Sequence, residues 1–169
     1  MEMESYQAIL IPSDGRPPSL VPLATSPVAI TDPFSVQVTQ TSRMPHPEVY
    51  MDYIAESLGS RAWQYHLVEA LDGMNKKFDT PYIIFYPVIS RDGMPFPVNK
   101  CVREIQGRLF REDAAWRGNL VVAKYAESSF TSMMNASMAD FPLIKNYLMQ
   151  HKSPLTPVSP AGVGTSRAC

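Results

Sequence analysis

Residues 80–126 read TPYIIFYPVISRDGMPFPVNKCVREIQGRLFREDAAWRGNLVVAKYA. Two apolar runs, 82–86 and 120–123, stand near the ends of this stretch, and apolar residues at helical spacing fill 98–110 between them. Short runs rich in Ile, Val and aromatic residues are typical of strands buried on both faces. Strand, helix and strand in succession predict a βαβ unit over 80–126, with a parallel strand pair and a right-handed crossover.

Pro87 lies inside the predicted strand 82–89 and conflicts with a regular central strand. Proline has no amide hydrogen to give to a ladder, so we expect the strand 82–89 to become irregular in its second half. The sequence Ser-Arg-Asp-Gly at 90–93 is a turn signal. Asn99 then suits the N-cap of the helix predicted over 98–110.

Three further helices are predicted outside this unit, over 47–58, 60–76 and 141–150. The prediction for 60–76 rests on Ser60 as an N-cap and on apolar residues at helical spacing: Trp63, Leu67, Ala70, Leu71 and Met74. Together these patterns predict an α+β fold or a small α/β sandwich. Its mixed sheet would have about three to five strands, covered by about four helices.

The ends of the chain differ in composition from its centre. Prolines recur through 12–33, which predicts an extended or irregular segment. Short strands are predicted on either side of it, over 6–11 and 34–41. Residues 1–150 are therefore expected to form one domain, and 151–169, rich in Ser, Pro and Gly, to be a disordered tail.

Charge and cysteine content restrict the class of protein. The chain of 169 residues has 15 basic and 16 acidic residues, a formal net charge of −1. This balance gives no long-range attraction for nucleic acid, which is disfavoured as a partner. Its two cysteines, Cys101 and Cys169, form no disulfide framework, and no signal peptide or membrane-spanning run is found, so a cytoplasmic or nuclear location is expected.

One predicted ligand pocket lies at the turn 90–101. Asp92, Asn99, Lys100 and Cys101 would line it, with the start of the following helix offering backbone amides to an anion. Cys101 also falls on the apolar face of that helix, where a thiol acts as a small hydrophobic residue, and this interpretation is favoured over a reactive thiol.

Trp116 and Arg117 are candidates for a protein-interaction surface, since Trp and Arg are favoured anchors of interfaces. The alternative, a Trp packed against the strand that follows, is favoured because Trp is usually buried. No metal-ligand spacing, cofactor motif or catalytic set is present in the sequence, so no metal, no cofactor and no catalytic residue is predicted.

Proline-directed sites suggest phosphorylation as a means of regulation. They are Ser26-Pro27, Ser153-Pro154, Thr156-Pro157 and Ser159-Pro160. The sequence thus favours a non-enzymatic, intracellular interaction or regulatory protein with a protein partner. Two alternatives stay open: a small-molecule-binding protein or enzyme with its pocket at 90–101, and a self-assembling structural protein that forms homo-oligomers.

Three segments carry a resemblance to known proteins. They are PVNKCVR at 97–103, AWRGN at 115–119 and MADFPLIKNYL at 138–148. Together they resemble a group of small, uncharacterised fungal proteins, over about 80–150. The resemblance implies an intracellular eukaryotic protein and brings no activity, cofactor or catalytic residue with it.

Overall fold

The computed structural model describes residues 4–31, 38–71 and 77–154. Seven strands lie within these ranges: β1 (Glu4–Ile11), β2 (Ser19–Thr31), β3 (Val38–Pro45), β4 (Trp63–Val68), β5 (Tyr82–Pro87), β6 (Leu120–Tyr125) and β7 (Met133–Met134). Two α-helices are found there, α1 (Lys100–Gln106) and α2 (Phe141–Gln150). Five short 3-10 helices complete the described elements: Pro47–Tyr50, Glu56–Ala62, Gly107–Leu109, Glu112–Ala114 and Met138–Asp140.

All the described strands belong to one antiparallel sheet, in the order β3-β2-β1-β6-β5-β4, with β7 paired to β6. The predicted α+β or α/β architecture, with a mixed sheet and about four covering helices, is therefore wrong. The protein is mostly a curled antiparallel sheet with a few short helices.

The predicted βαβ unit at 80–126 is a second correction, because β5 and β6 pair antiparallel, with Ile83 opposite Ala123 and Phe85 opposite Val121. The chain leaves β5 at Pro87 and enters β6 at Leu120, close to the same end of the pair. A parallel pair would require the connection to return along the whole strand. Instead the 7-residue α1, about 10 Å long, and two 3-10 turns form an elaborated hairpin connection.

The helix predicted over 60–76 is wrong through residue 71, since a 3-10 segment ends at Ala62 and Trp63–Val68 form strand β4. Residues 72–76 lie outside the described residues. Trp63 and Leu67 are four apart, and an even separation places them on one face of a strand as well as on one face of a helix. Pairing of β4 with β5 decides between the two.

The remaining helix predictions are met in part. The segment 47–58 forms two 3-10 turns separated by an isolated bridge at Ile54, and not one α-helix. Helix α1 covers only part of 98–110, because Gly107 adopts φ 54 and ends it. Helix α2 agrees with the prediction for 141–150.

Strand β2 occupies Ser19–Thr31, inside the segment predicted to be irregular. It accommodates Pro22 because the nitrogen of that residue, which has no hydrogen to donate, faces the β3 side, where no ladder partner is present among the described residues. The His46 amide donates to the Ala24 carbonyl, so even-numbered residues of β2 face β3 with their backbone groups. Strand β3 ends at Pro45, opposite Thr25, so Pro22 lies beyond the last ladder position on that side. The strand predicted over 34–41 lies partly outside the described residues, and β3 begins at Val38.

Pro87 is accommodated in the same way. The Tyr125 amide donates to the Pro81 carbonyl, so odd-numbered residues of β5 face β6. The β5–β6 pairing ends at Phe85 opposite Val121, and Pro87 therefore lies one ladder step past the start of β6.

Each face of the sheet carries an apolar core. On one face, side chains such as Ile84, Val122 and Trp116 pack with Ile144 and Leu148 of α2. The other face is covered by the segment 47–62, whose buried residues Met51, Ile54, Ala55 and Ala62 pack on Phe85 and Val121. The continuous apolarity of β5 and β6 is thus explained by burial on both faces, as predicted for central strands.

Candidate functional site

Strand β4 is at one end of the strand order and, among the described residues, is paired only with β5. The Val88 amide donates to the Ala62 carbonyl, which fixes the ladder phase. Alternate residues of β4 therefore bond to β5, while Tyr65 and Leu67 direct their backbone N–H and C=O groups to the outer edge.

The side chains on this edge are unusual for an exposed strand. Tyr65 is 59% exposed and Leu67 is 39% exposed. The strand reads WQYHLV, with no Lys, Arg, Asp, Glu or Pro. Natural proteins usually protect edge strands from pairing with charged residues or proline. Strand β4 has neither, and an outer edge of this kind is a template for a further strand.

An apolar groove of about 360 Å³ opens beside this edge. Its floor and walls include side chains from β4, β5, β6 and the loop that follows β6: Trp63, Tyr65, Ile83, Phe85, Tyr125 and Phe130. Leu67 and Ser129 also line it, and Met44 and Pro45, from β3 at the opposite end of the strand order, complete the lining. Both ends of the strand order thus border one groove, because the sheet curls around it.

Aromatic contacts hold the groove in shape. Trp63 packs edge-on against Phe85, and Tyr125 packs edge-on against Phe130. The Trp63 indole N–H donates to Glu48 at 3.0 Å. Burial raises the pKa of Tyr125 to about 12, so its phenol is neutral at physiological pH. The groove therefore offers an uncharged, aromatic surface.

Asp92 lies elsewhere, in a depression of about 200 Å³ that it shares with Tyr53 and Phe96. Its carboxylate accepts the Met94 amide at 3.0 Å and so forms the turn itself. This hydrogen bond is the main cause of the lowered pKa of Asp92. Asn99, the next predicted site residue, does not line the depression.

Asn99, Lys100 and Cys101 have identifiable roles in the fold. Asn99 is buried; its side chain caps Val102 N–H at 3.0 Å and donates to the carbonyls of Ile11 and Gly118. Burial raises the pKa of the half-buried Cys101 thiol. Lys100 is exposed, and its backbone amide donates to Ser13. None of these three residues lines the depression that Asp92 borders.

Trp116 is 1% exposed and lies in the core, with its indole N–H donating to the His151 carbonyl at 3.1 Å. This placement agrees with the favoured alternative, in which Trp116 packs against the strand that follows it. Arg117 is half-buried and donates to the Phe96 carbonyl at 2.9 Å. An interaction role for Arg117 stays a prediction.

The groove residues were absent from the predicted site because Trp63 and Leu67 were assigned to a helix. A period-two signal was present, since Trp63, Tyr65 and Leu67 alternate with Gln64 and His66. The contribution of Met44 and Pro45 had no local signal, because it depends on the curl of the whole sheet.

Within 4–31, 38–71 and 77–154, no group of three or more His, Cys, Asp or Glu side chains is placed to hold a metal ion. None of the helices in these ranges has the length and apolarity needed to cross a membrane. No protein-family model, curated protein or solved structure matches the chain. The resemblance to small fungal proteins therefore stays a prediction.

Proposed function

We propose that this protein binds an extended, apolar segment of a partner protein, which adds to the sheet along the outer edge of β4. The observation that carries the proposal is the outer edge of β4, which pairs with no other strand of the described residues, beside an apolar groove. Backbone hydrogen bonds to the edge would supply affinity, and alternate side chains in the groove would supply specificity. An intracellular setting, cytoplasmic or nuclear, belongs to the same proposal.

The chemistry of the partner segment follows from the lining. Side chains on one face of the bound strand, at every second position, would be apolar or aromatic, to match Trp63, Phe85 and Tyr125. Charged residues at those positions would lose their hydration without gaining a partner, and are expected to be excluded.

An isolated segment fits this groove better than a second copy of the chain. Met44 and Pro45 border the groove on the side away from β4, so an added strand would lie between two walls of the sheet. The β4 strand of a second copy is attached to β5 along its length and would bring that sheet with it. A single extended segment has no such attachment.

The test is selection of random peptides of about ten residues, the length of a long strand, displayed on phage and panned against the purified protein. Enriched sequences should alternate apolar with other residues. Isothermal titration of the synthesised peptides should give an affinity that Leu67→Glu lowers tenfold or more, equivalent to about 1.4 kcal/mol. Leu109→Glu, at a residue that is 61% exposed outside the groove, is the matched control and should leave the affinity unchanged.

A second pair of variants tests strand addition itself. The Leu67 amide points outward, so Leu67→Pro removes an edge donor while the ladder to β5 is kept. It should bind more weakly than Leu67→Ala, which removes the side chain alone. Equal binding by these two variants, or undiminished binding by Leu67→Glu, would contradict the proposal. A dimer that Leu67→Glu converts to a monomer in light scattering would identify a second copy as the occupant instead.

A further inference from the structure

Three polar residues, where β2 meets the end of β3, form a relay of one hydrogen bond and one ion-pair contact that the proposed peptide binding does not use. Ser26 Oγ lies 2.8 Å from His46 Nε2, and His46 Nδ1 lies 3.4 Å from Glu48 Oε2. The second carboxylate oxygen of Glu48 accepts the Trp63 indole N–H at 3.0 Å. The order is hydroxyl, imidazole, carboxylate, with the carboxylate itself held by a fourth group.

The two contacts of the imidazole favour one tautomer. A carboxylate only accepts, so Glu48 favours the tautomer with the proton on Nδ1. Nε2 is then an acceptor for the Ser26 hydroxyl proton. This is the arrangement in which a hydroxyl becomes a nucleophile, because the imidazole can take its proton as the bond to substrate forms.

Position in the fold supports this assignment. Ser26 lies on β2 diagonally across from His46, whose amide is bonded to Ala24. The His46 and Glu48 side chains are 29% and 28% exposed, so the relay is shielded but reachable from solvent. Met44 and Pro45, immediately before His46, line the apolar groove, and so does Trp63, which holds Glu48. An apolar group next to a reacting carbonyl thus has a surface beside the relay.

From this geometry we propose that Ser26, His46 and Glu48 form a serine-hydrolase site that acts on carboxylic esters with a small apolar acyl group. Ser26 Oγ bonds to the acyl carbon while its proton passes to His46 Nε2. The ester C–O bond breaks, and the alcohol leaves with that proton. Water then attacks the acyl-enzyme, gives its proton through His46 to Ser26 Oγ, and releases the acid. Glu48 is a positioning residue that acts through His46.

The first test is labelling of the full chain with a fluorophosphonate, followed by mass spectrometry of the adduct. The label should be found on Ser26, be absent in Ser26→Ala and be much slower in His46→Gln. Ser60→Ala, at an exposed serine outside the relay, is the control and should label as wild type does. Far-ultraviolet circular dichroism checks that each variant is folded.

The second test is hydrolysis of p-nitrophenyl butyrate. Ser26→Ala, which removes the nucleophile, should show no hydrolysis above background, and His46→Gln, which removes the general base, should be about a hundredfold slower than wild type. Glu48→Gln should lower kcat with little change in KM, and Glu48→Asp should restore part of it. A Ser26–His46 hydrogen bond that only joins β2 to the end of β3 would give no adduct at Ser26 and no difference in rate. Either result overturns the proposal.

This inference stands apart from peptide binding. Leu67 lies four residues beyond Trp63 along β4, about 13 Å away. Ser26→Ala should abolish labelling and leave peptide affinity unchanged, and Leu67→Glu should lower peptide affinity tenfold or more. Failure of one proposal is thus distinguishable from failure of the other.

Discussion

Gly118 lies against Pro87 where the chain enters β6. A Cβ atom added to Gly118 would lie 2.5 Å from Pro87 Cγ, and the residue has φ 78. Gly118→Ala should therefore destabilise the protein in two ways. The left-handed backbone costs about 1 kcal/mol, and the clash with a rigid ring adds about 1 to 3 kcal/mol. Urea unfolding measures the sum.

Gly93 provides the control for the backbone contribution, since it has nearly the same φ, 77, with no atom within 4 Å of an added Cβ. Gly93→Ala should lose about 1 kcal/mol. Equal losses in the two variants would show that the Pro87 ring moves aside and that the close contact carries no energy.

Local chemistry at single residues was predictable where a residue acts on its near neighbours. Asn99 was predicted to cap a helix, and its side chain does accept the Val102 amide. Its two further bonds, to the carbonyls of Ile11 and Gly118, join it to the ends of β1 and β6. No local pattern contains them. The same holds for Ser26 and His46, which only the β2–β3 register brings within 2.8 Å.

At the scale of elements, Asp140 joins two strands to the start of α2. Its carboxylate accepts Tyr82 Oη of β5 at 2.7 Å and lies 2.9 Å from Lys124 Nζ of β6. Burial alone would raise the pKa of Asp140, but hydrogen bonds from Tyr82 and the Ser137 amide, with the Lys124 charge, hold it below the usual value of 3.8. The native state therefore favours the ionised carboxylate.

The sign of the pH dependence follows. A carboxyl with a lowered folded pKa stabilises the protein fully above its unfolded pKa, about 3.9. That contribution declines as the pH falls below this value and is lost once the pH passes the folded pKa. At pH 7, Asp140→Asn should be about 3 kcal/mol less stable, because it leaves the Lys124 charge without its partner. Urea unfolding should show this deficit shrinking from pH 5 to pH 3.

Asp113 is the matched carboxylate, since its ion pair with Arg111 is exposed, with side-chain exposures of 68% and 62%. Asp113→Asn should change stability at pH 7 by less than about 1 kcal/mol. A deficit in Asp140→Asn that is constant with pH would contradict the linkage.

Whether a segment forms a helix or a strand was predictable only where its apolar residues fit one of the two periods and not the other. Helix α2 was correctly predicted because its apolar residues fit a helix alone. Trp63 and Leu67 fit both periods, and strand pairing with β5 overrode the local helical pattern. The continuous apolarity of β5 and β6 correctly predicts central strands buried on both faces. It does not predict whether the two strands run parallel or antiparallel. Direction depended on the short connection through α1.

For the whole molecule, the order of strands places the two candidate sites. β1 pairs with β6, more than a hundred residues later in the chain, and this pairing sets β4 and β3 at opposite ends of one curled sheet. The groove exists because those ends approach each other at Met44 and Trp63. Local sequence patterns predict which face of a strand is buried and where turns occur. The groove depends on the pairing of strands that are distant in sequence, which local patterns do not predict.

Long-range hydrogen bonds also predict the residue at which the folded unit ends. Residues 151–153 fall in the predicted tail, yet the His151 carbonyl accepts both Trp116 Nε1–H and Gln106 Nε2–H, and the Ser153 amide donates to Ala114. A chain ended after Gln150 leaves the buried Trp116 donor unpaired, at about 1 to 3 kcal/mol. It should be less stable in urea than a chain ended after Pro154 by about 3 kcal/mol in all, because the Ser153 bond and the stacking of His151 on Tyr147 are also lost.

Trp116→Phe in both chains separates this hydrogen bond from packing. The substitution removes the indole N–H and some contact area in each background, so packing cancels in the double-mutant cycle. The chain ended after Pro154 should lose about 1 kcal/mol more than the chain ended after Gln150. Equal losses would mean that the Trp116–His151 bond contributes nothing, and equal stability of the two parent chains would place the end of the fold at Gln150.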